Sequence, residues 1–503
     1  MIRYSGVPHR GMITVSIMLA TVMQVLDMTI ANVALPHMQG NLSATQDQIA
    51  WVLTSYIIAA AIMTPPTGFL AARFGRKRLF IGAVAGFTVA SMLCGAATSL
   101  PELVFFRMLQ GMFGAGLVPL SQAVLLDAYP RERHGTAMAL WGIGVMVGPI
   151  LGPTLGGYLT EYYSWRWVFY INLPFGLLAL AGILAFVPES ERDRQRPFDV
   201  FGFVLLSLGI GALQLMLDRG QSEDWFASTE ILVEASLSAL FLYMFLVHMF
   251  TAKRPFIEPG LFRDRNFAIG LFMIFILGII LLSTITLLPP YLQQLMGYPV
   301  ITTGLVLAPR GVGTMTSMIL VGLLNTRVDV RAMILAGLVL TTFSLWEMTG
   351  FNLEVSTWTL VYTGFVQGIG IGLLFVPLST LAFSTLAAHY RNEGTAMFSL
   401  MRNLGSSIGI SIMITFLGQQ IQINHSVLAE NITPFNPLLT GAMSLNNTAG
   451  LMAINNEVTR QAASIAYLTD FRVMMFITLF TIPLLIFLRT PRREPVAVEQ
   501  EVT

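Results

Sequence analysis

Long apolar stretches separated by short polar breaks run the length of this 503-residue chain. A helix of roughly 20 apolar residues crosses a bilayer, and by that measure fourteen stretches qualify. They begin near residues 11, 49, 79, 103, 136, 166, 198, 229, 267, 301, 331, 357, 394 and 471. The stretch from Phe198 to Leu217 and the one near Gly394 are the weakest, because both carry Gly and Ser. The pattern predicts an all-α membrane protein, with the first stretch an uncleaved span. Composition agrees: hydrophobic residues make up 55%, charged residues 11%, and mean hydropathy is +0.71. A soluble domain carries roughly 25% charged residues.

Lys and Arg set the orientation of such a chain. With the N-terminus inside, 21 of the 28 fall on the inner side. Arg166, Arg219, Arg460 and Arg472 fall outside, and Arg107, Arg310 and Arg402 lie within spans. Both termini are therefore expected in the cytoplasm. A net charge of +1 gives no case for a nucleic-acid partner. The single cysteine, Cys94, lies in an apolar run and leaves no route to a disulfide or a cysteine-based metal site.

A sequence pattern recurs after about 257 residues. Gln110-Gly111, Pro119-Leu120-Ser121 and Gly135-Thr136-Ala137-Met138 return as Gln367-Gly368, Pro377-Leu378-Ser379 and Gly394-Thr395-Ala396-Met397. Upstream, Gly68 and Arg73 are echoed by Gly322 and Arg327. Each copy is displaced by eight spans, so two six-span halves flank two inserted spans, the seventh and eighth. Paired halves around a central cavity are a frequent build of secondary transporters. The expected units are residues 1–187, a charged link with the inserted spans and a following loop at 188–266, a second half at 267–489, and a tail at 490–503. Residues 418–470 are polar and read as a long outside loop.

An ionisable group inside a span is disfavoured, so it is a functional candidate by default. Asp27 and Arg107 fall in the outer halves of spans 1 and 4, at comparable depth. Gln24 precedes Asp27 by three residues and Gln110 follows Arg107 by three, giving each helix a polar stripe and making both glutamines candidates for the cavity wall. Burial favours a neutral carboxyl and a nearby arginine favours the carboxylate. A helix movement that alters this balance takes up and releases a proton. The alternative is a static pair that holds the helices together. Arg310, Gln367 and Arg402 are candidates for the cavity wall in the second half, or the arginines cap carbonyls; Glu347 lies near the outer end of its span. Gly144, Gly148, Gly152 and Gly156 recur every four residues, beside Pro149, Pro153 and Gly157. They make one face that lets another helix approach closely, on a helix that the prolines bend. Gly68, Arg73, Gly75, Arg76 and Lys77 form a basic turn at the inner face that anchors the loop inside, and Asp127 is placed to pair with Arg73 in the outward-open state only. The six histidines are scattered, and no H-E-x-x-H, P-loop or G-x-S-x-G stands in a suitable context, so an enzyme is not expected.

Together these motifs resemble the major facilitator superfamily, and within it the fourteen-span drug:proton antiporters of the EmrB type. Leu26 to Pro36 is similar to that family's first-span signature, Gly68 to Lys77 to its loop 2–3 motif, and Arg107, Gln110 and Gly111 to its span 4 motif. Gly144 to Gly157 is similar to its antiporter motif. Trp165-Arg166-Trp167, Ile171-Asn172-Leu173-Pro174 and Leu217-Asp218-Arg219-Gly220 complete the likeness, which covers nearly the whole chain. One position departs: the acidic residue of the loop 2–3 motif is Ala72 here. The resemblance implies export of small amphipathic compounds from a bacterial inner membrane, driven by the proton gradient without a cofactor. It also implies a periplasmic membrane-fusion adaptor and a TolC-like outer-membrane channel as partners. The same fold exporting one defined metabolite, such as a siderophore, fatty acid or bile salt, is the alternative. A receptor that binds without transport is a more distant one.

Overall fold

A computed structural model describes residues 9–130, 133–190, 198–324, 328–430, 432–433 and 448–489. The tail at 490–503, most of the link at 188–197 and the middle of the expected loop lie outside the described residues. Seventeen α-helices and no strand are found among those described.

In the first half these are α1 (Arg10–Asn41), α2 (Gln46–Met63), α3 (Pro66–Phe74), α4 (Arg76–Ala96), α5 (Leu100–Gly114), α6 (Leu117–Ala128), α7 (His134–Tyr162), α8 (Trp167–Tyr170) and α9 (Asn172–Phe186). The inserted pair is α10 (Val200–Arg219) and α11 (Thr229–Thr251). The second half holds α12 (Arg265–Pro290), α13 (Val300–Leu324), α14 (Val330–Met348), α15 (Thr357–Ser384), α16 (Arg391–Ala429) and α17 (Thr448–Thr481). Twelve helices are long and apolar enough to cross a membrane, or thirteen when the bent pair α2 and α3 counts as one. The expected fifth span, α7, is a 29-residue helix outside that count. Thr64-Pro65-Pro66 produces the 56° bend in span 2, because proline lacks the amide that would continue α2.

The internal repeat is visible in the packing. In the first half α1 packs on α7, α2 on α5 and α4 on α9; in the second, α12 packs on α16, α13 on α15 and α14 on α17. These are the same pairs eight spans apart. The repeated Gln-Gly has a steric origin. A side chain at Gly111 would strike the Tyr56 carbonyl of α2, and one at Gly368 would strike the Arg310 carbonyl of α13. In each half the glycine lets two backbones meet.

Hydropathy misjudged the polar region at 418–470. It is helical over 418–429 and again from Thr448, so the two helices extend well past a bilayer. The 39 residues of α16 span about 58 Å at 1.5 Å each, roughly twice a 30 Å hydrocarbon core. Residues 419–429 and 451–470 contain no Gly or Pro, so the helices continue although their surface is polar. His425 and Asn455 join the extensions through a 3.2 Å hydrogen bond.

The inserted pair is not equivalent to either half. The outer face of α11 is largely exposed, whereas α10 packs on α2 and also touches α16. Thr54 of α2 donates to Asp218, Ser411 of α16 donates to the Leu217 carbonyl at 2.8 Å, and Trp225 donates to Thr415 at 2.9 Å. The insert thus ties α2 to α16.

The glycine face of α7 lies on α1. A side chain at Gly144 would strike Met18, one at Gly148 would come within 2.6 Å of Val25 and 2.9 Å of the Leu26 nitrogen, and one at Gly152 would strike Thr29. Thr29 Oγ1 also donates to the Gly148 carbonyl at 3.1 Å. Gly157 has open space around it. Overpacking costs about 1–3 kcal/mol, so Gly148→Val is expected to lower the thermal unfolding temperature of detergent-purified protein clearly. Gly157→Ala should leave it within error.

Candidate coupling site and basic-end latch

Arg107 and Gln110 lie three residues apart on α5 and so share a face. That face meets Asp27 of α1. Arg107 Nη1 donates to Asp27 Oδ2 at 2.7 Å and to Gln110 Oε1 at 2.7 Å. Gln110 Nε2 donates to Asp27 Oδ1 at 2.8 Å, and Asn172 Nδ2 reaches the same oxygen at 2.7 Å. Asn172, the first residue of α9, also donates to Ser91 Oγ at 2.9 Å, and Ser91 donates to the Phe169 carbonyl at 2.9 Å. The guanidinium's Nε donates to the Val52 carbonyl at 3.1 Å, and its carbon stands 4.3 Å from the Tyr56 ring centroid. Asp27 and Arg107 are each 1% exposed.

The expected pairing of Asp27, Arg107 and Gln110 is present. Gln24 stands beside it, its amide donating to the Tyr56 hydroxyl at 3.3 Å. Every partner belongs to the first half, and Gln24 and Gln110, expected at the cavity wall, are buried inside that bundle. Asn172, Ser91 and Tyr56 are members that reading single helices did not identify. Asn172 stood only in a motif carrying the family resemblance, and residues 80 or more apart in sequence show no spacing signal. Cys94 is buried, with its thiol 3.6 Å from Gln110 Oε1.

The second half is built differently. Arg310 is buried and donates to the Leu281 carbonyl at 3.3 Å, while Arg402 is half-buried. Neither forms an ion pair among the described residues. Gln367 is buried with both amide atoms unbonded. Glu347 is half-buried near the end of α14.

A second charged cluster gathers where Arg76, Asp127 and Arg391 meet, at what is here termed the basic end. Asp127, near the end of α6, pairs with Arg76 of α4 and accepts from Arg391 Nη1 of α16 at 2.7 Å. Arg76 Nε donates to Asn392 Oδ1 at 2.6 Å. The partner expected for Asp127, Arg73, is replaced by these two arginines. Arg73 instead lines a cavity of about 690 Å³ with Met63, Thr67, Phe74 and Met112. It lies on the last turn of α3, whereas Arg76 begins the next helix across the turn. Gly75 makes that turn at φ +89°, a conformation that favours glycine. A side chain at Gly68 would come within 2.8 Å of the Asn392 carbonyl, so this glycine lets the halves close. Lys77 Nζ donates to the Leu184 carbonyl at 2.8 Å, bracing α4 on α9.

The two clusters are linked through α7. Its glycine face holds α1, which carries Asp27. Its first turns meet the second half: Thr136 donates to the Gly322 carbonyl at 3.3 Å, and Trp141 stacks on Phe375 with centroids 5.7 Å apart. The side chains of Pro149 and Pro153 lie outside the described residues. Among the described residues, the hydrogen bonds between the halves at Asp127–Arg391, Arg76–Asn392 and Thr136–Gly322 lie toward the basic end.

Removing one partner of a buried ion pair costs about 3–5 kcal/mol, since the other is left uncompensated. Arg107→Ala should therefore lower the unfolding temperature much more than Asp27→Asn, whose side-chain oxygen still accepts from Gln110 or Asn172. Thermal unfolding in detergent compares them.

Comparison with known proteins agrees with this architecture. The Major Facilitator Superfamily profile matches residues 17–410. The fatty acid resistance protein FarB of Neisseria gonorrhoeae is 37% identical, over 89% of this chain and 90% of its own. The probable multidrug resistance protein EmrY of Escherichia coli K12 is 35% identical over 95% of each chain. The multidrug export protein EmrB of the same strain is 37% identical over 84% of this chain and 83% of its own. Among solved structures, the human organic anion transporter MFSD10 superposes with a TM-score of 0.60 at 14% identity, covering 94% of this chain and all of that one. With its membrane helices, its repeated halves and these relatives, the chain belongs to the Major Facilitator Superfamily, in the family of EmrB, EmrY and FarB.

Proposed function

We propose that this chain exports small amphipathic compounds across a bacterial inner membrane in exchange for protons, with Asp27 as the proton carrier and both termini in the cytoplasm. The observation that carries the reading is the position of Asp27. It is a desolvated carboxylate whose helix packs along α7, the helix that reaches the second half. Low dielectric favours the neutral acid and an adjacent guanidinium favours the carboxylate, so the distance between them decides protonation. A proton on Asp27 cancels its attraction for Arg107, and α1 is then free to shift against α5. The close packing at Gly148 and Gly152 passes that shift to α7, and through Thr136 and Trp141 to α13 and α15.

In the conformation described, the Asp127 latch is closed. With the basic end in the cytoplasm, this is a state closed on the cytoplasmic side, in which a paired carboxylate awaits a proton. Transport needs no cofactor on this account, because the gradient supplies the work. The helical extensions of α16 and α17 then stand on the periplasmic side. They are the surface for a membrane-fusion adaptor, which passes substrate to a TolC-like channel.

FarB supports a narrower second reading, export of fatty acids. Arg310 and Arg402, without acidic partners among the described residues, suit an amphipathic carboxylate. Counterflow in vesicles loaded with a long-chain fatty acid or a cationic dye separates the two.

Asp27→Asn keeps the side chain's shape but cannot titrate. Reconstituted in vesicles with an imposed pH gradient, it is expected to lose uphill efflux by at least about 100-fold while still binding substrate. General proton-transfer groups contribute on that order or more when removed from a mechanism. Sustained pumping by this variant against a substrate gradient would show that the Asp27–Arg107 pair is only structural.

A further inference from the structure

The repeat gives each residue of the Asp27 site a counterpart in the second half. Gln110 corresponds to Gln367 and Arg107 to Gly364 through the Gln-Gly motif. Tyr56 corresponds to Arg310, since each carbonyl faces the glycine of that motif. Ser283 lies on α12, the counterpart of α1. The counterpart of Asn172, on the last span of the half, is Asp470 of α17. Like Asn172, it is buried on a helix that packs against the counterparts of α1 and α4. It lies 17 residues before Phe487, the last six in a 3₁₀ helix that rises about 2.0 Å per residue, and Asp27 lies 17 after Arg10. These separations place the two acids about 28 Å and 26 Å from the basic end.

The second half therefore has an acid at the Asn172 position and an arginine at the Tyr56 position, with the centre of the site left polar and unfilled. Ser283 Oγ and both amide atoms of Gln367 are buried without partners. Asp470 is 0% exposed, and neither carboxyl oxygen receives a hydrogen bond. Aromatic rings close this region: Tyr291 lies 5.4 Å from Tyr467 and 6.4 Å from Phe471, and Phe351 lies 6.4 Å from Phe471. Titratable groups on the packed helices include Tyr467 and the exposed Arg472 on α17, Tyr291 after α12, Glu347 on α14 and Arg402 on α16, with Arg310 on the adjoining α13. Of these, Tyr467 is within electrostatic reach of Asp470.

A carboxylate with no donor and no cation is strongly disfavoured away from water, whereas the neutral acid is tolerated. We propose that Asp470 is a second proton-carrying site, protonated in this conformation and discharged when the halves rearrange. In that step the Oδ–H bond breaks, the proton leaves on a water that carries it away, and the carboxylate left behind is stabilised by further water or by Arg310. The first half thus carries its acid paired and ionised while the second carries its acid neutral, so protons can load and leave at different points of one cycle. This rests on the proton-exchange reading.

Two measurements test it. Infrared spectra of purified protein at neutral pH should contain the carbonyl band of a protonated carboxyl, sensitive to deuterium exchange. Asp470→Asn should lose that band and Asp27→Asn should keep it. In vesicles, the protons moved per substrate should fall by one in Asp470→Asn, and Asp470→Glu should restore both band and stoichiometry. Persistence of the band in Asp470→Asn, or an unchanged proton count, overturns the proposal. Should wild-type vesicles show no proton-driven efflux, the exchange reading fails, and the second site's transport role fails with it. The infrared band separately reports whether Asp470 holds a proton.

Discussion

A carboxylate and a guanidinium placed together inside an apolar helix bundle must satisfy each other, and the first half is arranged around that requirement. Asp27 accepts hydrogen bonds from three side chains, and Arg107 donates to a carboxylate, an amide oxygen and a backbone carbonyl while standing over an aromatic ring. Four helices, α1, α2, α5 and α9, supply these groups. A pair so thoroughly bonded holds the helices in register as long as it is ionised. The same property makes it a switch, because one proton removes the charge on which the arrangement depends.

Close helix contact turns a local change into a movement. Between α1 and α7 the glycines leave no side-chain layer to absorb a displacement, and the same is true where Gly68 meets the start of α16. Packed interfaces of this kind shift between discrete arrangements rather than deforming smoothly. The latch at Asp127 is weaker by nature. Its groups are partly exposed, and partly solvated ion pairs are worth much less than buried ones. A rigid interior and a soft closure at one end suit a molecule that must open and shut.

Much of this was legible in the sequence, and the parts that were not share a cause. Hydropathy, the eight-span repeat and the four-residue glycine spacing are all local patterns, and each has a structural counterpart. Asp27, Arg107 and Gln110 stood out because polar groups are rare in spans. Asn172 and Ser91 did not, because small polar residues are common at span ends and within them, and only the fold brings these two together. Asp470 was read as the end of a loop, since α17 begins with a polar extension that hydropathy cannot distinguish from coil. Asp127 was expected near Arg73 because both face the inner side; its partners in this conformation are Arg76 and Arg391, and span topology neither ranks the cations of one loop nor shows an arginine arriving from the other half.

The central claim is that the charge on Asp27 governs the separation of the halves. Spin labels at the exposed Phe74 and His389 positions, with Cys94 replaced, report that separation at the basic end by pulsed electron resonance. In lipid nanodiscs the account predicts that acidification changes the distribution from one closed distance to a mixture with a longer one. In Asp27→Asn the distribution should no longer respond to pH at that transition. An Asp27→Asn protein whose distances followed pH as the wild type does would contradict the account.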